Sequence, residues 1–146
     1  MPLSHAAKWL LVVVPLAGAV LAGCGAIEPP PQQYPHATVT FEVTVPADTP
    51  ADAVVLVVGS DPALGKETAP GFQLRRQRER FYSGSVRLVV GAEVSFDLWQ
   101  GGEWRPELAM DGSSTSRHTF LVQGDMTVPV TVARWGTPGK GPPPRE

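Results

Sequence analysis

Residues 38–45 read T-V-T-F-E-V-T-V. Val39, Phe41, Val43 and Val45 alternate with Thr38, Thr40, Glu42 and Thr44. Successive side chains of an extended chain point to opposite faces, so the stretch predicts a strand with one buried and one wet face. A helix would place its apolar residues about three to four apart, and no long stretch of this chain carries such a stripe. Val and Thr, both strand formers, dominate the middle of the sequence.

Further strands follow at regular spacing. Pro46-Ala47-Asp48-Thr49-Pro50 is a turn. Residues 53–58, A-V-V-L-V-V, form a continuous apolar run that fits a strand buried on both faces. Residues 59–71 hold Gly, Pro and Asp in turn-forming places and predict a loop. A short strand at 72–77 and a charged turn at 78–80 lead to a strand at 81–89, with Tyr82, Val86 and Leu88 inward. Strands at 117–122 and 126–132, joined by a turn at 123–125, close the domain. About seven or eight short strands separated by turn signals predict an all-β, antiparallel sandwich.

The stretch at 93–120 carries the candidate function. Val94, Phe96 and Leu98 alternate with Ser95, Asp97 and Trp99. Gln100-Gly101-Gly102-Glu103 then breaks the pattern, and glycine permits the positive φ of a tight hairpin. The next strand opens at Trp104, so two tryptophans flank one turn. Strict alternation puts Trp99 on the face away from the core. An exposed indole is costly in water, so it either meets a ligand or packs under a covering loop, for which residues 111–116 are the candidate.

At the N-terminus, residues 9–20 are an apolar run suited to a signal-peptide core and short for a membrane span. It ends in Leu21-Ala22-Gly23-Cys24, which resembles the lipobox of bacterial lipoproteins. Cys24 is the one cysteine of the chain, so no intramolecular disulfide exists. The resemblance implies cleavage before Cys24, lipidation of its thiol, and a membrane anchor. Gly25 follows where an Asp would retain the protein at the inner membrane, which favours the outer membrane of the cell envelope. Residues 24–37 include Pro29-Pro30-Pro31 and Pro35 and predict a stiff extended tether of about 3.1 Å per residue. The expected organisation is a leader at 1–23, tether at 24–37, sandwich at 38–135, and a Gly/Pro-rich disordered tail at 136–146.

Composition excludes several classes. Formal charge is −2 and no long basic run is present, which argues against nucleic acid as partner. Of three histidines only His118 lies in the domain, and its reading is a half-exposed strand residue. No paired-His metal spacing, G-x-S-x-G motif or phosphate-cradling loop occurs, so no metal, cofactor or catalytic residue is expected. Ser113, Ser114 and Ser116 near Asp111 and His118 read as turn formers. Arg75, Arg76, Arg78, Arg80 and Arg87 read as a solvated hairpin face.

The order of these motifs resembles a known family. V-T-F-E-V-T-V-P, A-V-V-L-V-V-G-S leading to D-P-A-L-G, F-Y-S-G-S-V-R-L, G-A-E-V-S-F-D-L-W, G-G-E-W, R-H-T-F-L-V and T-V-A-R-W occur in sequence over residues 38–135. This resembles the starch-binding carbohydrate-binding module of family twenty. The resemblance implies an immunoglobulin-like sandwich, a non-catalytic role, and an α-glucan ligand. Trp104 matches a tryptophan that stacks on glucose in the family. Trp99 stands where the family has a sugar-binding lysine, and Arg105 where it has an acidic residue. Ser116-Arg117 stands for its Asn-Arg pair. Leu64-Gly65 is followed by Lys66-Glu67-Thr68, where the family carries its other stacking tryptophan. The candidate sugar-binding residues are Trp99, Trp104, Arg105 and Ser116. The alternative is a structural or protein-interaction sandwich of the cell envelope that has lost the sugar.

Overall fold

The computed structural model describes residue 25 and residues 28–144. The apolar leader and Cys24 lie outside the described residues. The chain divides into Met1–Gln32 and a compact unit, Gln33–Glu146. Described residues of the first unit are exposed and carry no regular secondary structure.

Among the described residues, ten strands build the second unit, with a 3-10 turn at Pro62–Leu64. They are β1 His36–Thr44, β2 Val55–Gly59, β3 Phe72–Gln73, β4 Arg75–Arg78, β5 Phe81–Val89, β6 Glu93–Gln100, β7 Arg105–Leu108, β8 His118–Leu121, β9 Met126–Thr131 and β10 Arg134–Trp135. Four form one sheet in the order β4-β5-β1-β9. The other runs β10-β7-β6-β2-β3, with β8 also paired to β6. The all-β sandwich expected from alternation is therefore present. One pairing departs from the antiparallel expectation, because β9 runs parallel to β1. A short turn takes the chain from β8 in one sheet to β9 in the other, and the reversal brings β9 to the free edge of β1 in the same direction.

The alternating apolar residues meet between the sheets. Val39, Phe41 and Val43 of β1 face Val94, Phe96 and Leu98 of β6, all within 1% of full burial. Phe41 and Phe96 pack edge to face at 5.1 Å, and Phe120 of β8 joins both at 5.9 Å. Such aromatic clusters contribute beyond the area they bury. Val55 and Val57 are also fully buried, as the apolar run predicts.

Boundaries differ from the reading of the sequence, beginning with β1, which opens at His36 inside the stretch read as tether. The strand expected at 72–77 is two strands: β3 pairs with β2, β4 pairs with β5, and buried Leu74 marks the change of sheet. Trp104 lies in the hairpin turn rather than in a strand, at φ 51. The tail is not free. Gly139 N donates to Glu103 O at 3.1 Å and Ala69 N donates to Pro143 O at 2.8 Å. Prolines exclude a helix here, and the segment is anchored by one backbone N–H that donates, at Gly139, and one carbonyl that accepts, at Pro143.

Candidate functional site

β6 supplies the site by alternation. Val94, Phe96 and Leu98 face the core, so Asp97 and Trp99 lie on the outer face of the larger sheet. On one edge β6 pairs with β2 along residues 96–100. On its other edge two partners share it: β8 opposite residues 93–96 and β7 opposite Trp99 and Gln100. Asp97 and Leu98 fall between those partners. A groove of about 240 Å³ opens there, walled by Asp97, Trp99, Pro106, Leu108, Ser114 and Thr115, with Leu98 and Glu107 also lining it.

The Trp99–Trp104 hairpin forms one end of this face. Gly102 (φ 86) and Trp104 (φ 51) both take left-handed backbone, unusual for a bulky residue and worth about 1 kcal/mol of strain. The turn brings the two indoles to 5.8 Å between centroids with planes 78° apart. Both are half-buried.

Charge lines the other end. Arg117 donates from Nη2 to Glu67 Oε1 and Oε2 at 3.1 and 2.9 Å. Its Nε lies 3.0 Å from Asp97 Oδ2. Partial burial lifts the Asp97 carboxyl above its ordinary pKa, opposed by the Arg117 guanidinium and reinforced by Glu67. Glu67 is held at φ 65 in the loop after the 3-10 turn, with its N–H donating to Gly59 O at 2.8 Å. Residues 66–68, which carry no aromatic, thus contribute an ion pair to this face.

Behind the groove, His118 Nε2 and Glu107 Oε2 are 2.7 Å apart. Glu107 is the buried charged residue among those described, 8% exposed. The His118 ring stacks on Phe96 at 5.0 Å and 23°. The hydrogen bond to Glu107 raises the His118 pKa, with desolvation working against it and the carboxylates of Glu107 and Asp97 adding to the rise. His118 is the half-exposed strand residue expected, and its pairing with Glu107 bridges β7 and β8 across the split in the sheet.

The sequence candidates are only partly brought together. Trp99 and Trp104 touch each other. Arg105 sits opposite Gln100 in register, one residue out of phase with Trp99 and Pro106, and so falls on the other face. There it is paired with Glu103 at 2.7 Å and donates to Gly136 O at 3.2 Å, in a separate hollow with Asp48, Gln100 and Trp135. Alternation alone, applied to β7, separates it from the indoles. Ser116 is exposed beside Arg117, while Ser114 and Thr115 face the groove. Of residues 111–116, Ser114 and Thr115 line the groove together with Trp99; Asp111 Oδ1 accepts from Ser113 N and Oγ, which lowers its pKa and fixes the loop. Asp97 was legible, two residues from Trp99 on one strand; Glu107 depended on how β7 and β8 sit beside β6.

Comparison with known proteins finds likenesses to parts of longer proteins. No family model matches. The chain is 34% identical over 99 residues to an alpha-amylase from Niallia circulans, a match covering 67% of this chain and 8% of that protein. Among solved structures, the Glycoside Hydrolase Family 15 glucoamylase from Hypocrea jecorina superposes with a TM-score of 0.53 at 25% identity, over 75% of this chain and 19% of that one. Gamma-CGTase from the alkalophilic Bacillus clarkii gives 0.54 at 22% identity, over 68% and 15%; this second likeness is one of fold. This chain spans less than a tenth of the length of the curated relative and under a fifth of either solved enzyme, so it is similar to a part of these proteins.

Proposed function

We propose that residues 38–135 are a non-catalytic carbohydrate-binding module that holds an α-glucan. The observation that carries this reading is the pair of indoles, Trp99 and Trp104, on the outer face beside a groove of about 240 Å³. Flat rings accept the apolar C–H face of a pyranose, and Asp97, Ser114 and Thr115 offer partners for its hydroxyls. Similarity to a small part of an alpha-amylase and of a glucoamylase supports a binding role separate from catalysis. Fold alone does not select function, so the reading rests on the site. With few contacts the affinity is roughly micromolar to millimolar.

Cys24 completes the proposal. Lipidation there would display the module on a membrane of the cell envelope, with the outer membrane favoured by Gly25. A lipid-anchored array offsets weak single sites by multivalency.

Titration of residues 25–146 with amylose, glycogen and cyclodextrin, followed by tryptophan fluorescence, tests the reading. Saturable binding that Trp104→Ala weakens by about tenfold or more while the fold survives is the expected result. A flat response to every glucan would overturn it and leave the protein-interaction sandwich, which the missing aromatic after Gly65 favours.

A further inference from the structure

The segment after β10 packs against Trp104, one of the two indoles of the candidate sugar site. Gly139 N donates to Glu103 O at 3.1 Å, beside Trp104. Two residues on, Gly141 lies directly against the indole of Trp104. A Cβ on Gly141 would come within 2.8 Å of Trp104 Cε3, and closer to two other ring atoms. Gly141 also sits at φ 67, where only glycine is unstrained. The segment then reaches the loop that carries Lys66-Glu67-Thr68: Ala69 N donates to Pro143 O at 2.8 Å, and Ala69 pairs with Pro144 in a parallel bridge.

Two features suit this segment to a reversible contact. Pro142, Pro143 and Pro144 hold it extended, so little conformational entropy is lost on docking. Backbone hydrogen bonds near its two ends anchor it to the domain, each modest in net worth. The bare Cα of Gly141 puts C–H groups on the indole face, the same kind of contact a pyranose would make there.

We propose that residues 137–144 are a strap that occupies Trp104 in the resting protein and competes with glucan for it. The proposal rests on the carbohydrate reading above and adds regulation to it. A ligand sees only the fraction of molecules with the strap lifted, so apparent affinity is reduced by that fraction.

Residues 25–146 are compared with a variant lacking residues 137–146 and with full-length Gly141→Val, which keeps the strap but clashes with the ring. Acrylamide quenching is measured for each, with and without Trp104→Phe, to isolate the Trp104 signal. Maltoheptaose is then titrated. Both variants are expected to expose Trp104 to quencher and to bind maltoheptaose about tenfold more tightly, corresponding to a strap docked in roughly nine of ten molecules. Unchanged quenching of Trp104 in the deletion overturns the strap. Greater quenching with unchanged maltoheptaose affinity overturns the competition and leaves the carbohydrate reading standing. Greater quenching with no sugar binding by any form overturns both.

Discussion

The rings of Trp99 and Trp104 meet edge to face, 5.8 Å between centroids and 78° between planes. Two indoles at that angle make a corner and not a continuous floor. One sugar ring can lie on one face, while the other indole closes its side. The hairpin that holds them carries a left-handed tryptophan, so the corner is maintained at a backbone cost that packing between the rings offsets.

Trp104→Ala and Trp99→Ala should therefore each weaken glucan binding by about tenfold or more, equivalent to about 1.4 kcal/mol. Both rings are half-buried on the outer face, so thermal stability should fall by less than the loss of a core aromatic, about 3 kcal/mol. Calorimetric titration and melting of the same samples check both. Equal affinity in both variants and wild type would place the ligand elsewhere.

The His118–Glu107 pair should make stability depend on pH. Folding raises the His118 pKa above its ordinary value near 6.5 through the hydrogen bond to Glu107. The folded state therefore holds the proton more tightly than the unfolded chain. Its contribution is fully present below about pH 6.5 and is lost as pH rises through the higher folded pKa. Melting between pH 5.5 and 8.5 should show this decline, and His118→Gln should flatten it. Because Glu107 is buried, removing its partner should also cost about 3 kcal/mol at pH 6. An unchanged slope in His118→Gln would assign the pH dependence to other groups.

Gly59→Ala should destabilise the sandwich where Gly124→Ala does not. A Cβ at Gly59 would lie 2.7 Å from Ser95 O and 2.9 Å from Leu64 Cδ1, at the end of a fully buried strand. One contact is backbone, so β2 or β6 must shift, at about 1–3 kcal/mol. Gly124 has nothing within 4 Å of its Cβ. Urea unfolding of the two variants gives the comparison, and equal midpoints would contradict the packing described.

If Cys24 takes the lipid as proposed, Cys24→Ser should release the protein from the membrane fraction or leave its leader uncleaved. Fractionation and the mass of the mature N-terminus report this. Normal processing with unchanged membrane association would remove the lipid anchor from the proposal.

Much of this protein is written in its local pattern. Alternation in residues 38–45 and 93–99 fixes which side chains are buried, because a strand presents successive residues to opposite faces whatever its partner. That rule puts Phe41 and Phe96 inside and Trp99 outside, and the structure agrees. The same rule applied to β7 parts Arg105 from Trp99. Periodicity names a face but not a neighbour. The change of sheet at Leu74, the parallel run of β9 beside β1, and the union of Glu107 with His118 depend on pairing between distant segments. So does the placement of Gly141 on Trp104. A Gly/Pro-rich tail has no apolar period of its own to announce where it docks. Its position comes from backbone hydrogen bonds at Gly139 and Pro143 and a bare Cα against the half-buried ring of Trp104, a match that exists only once the hairpin has placed Trp104.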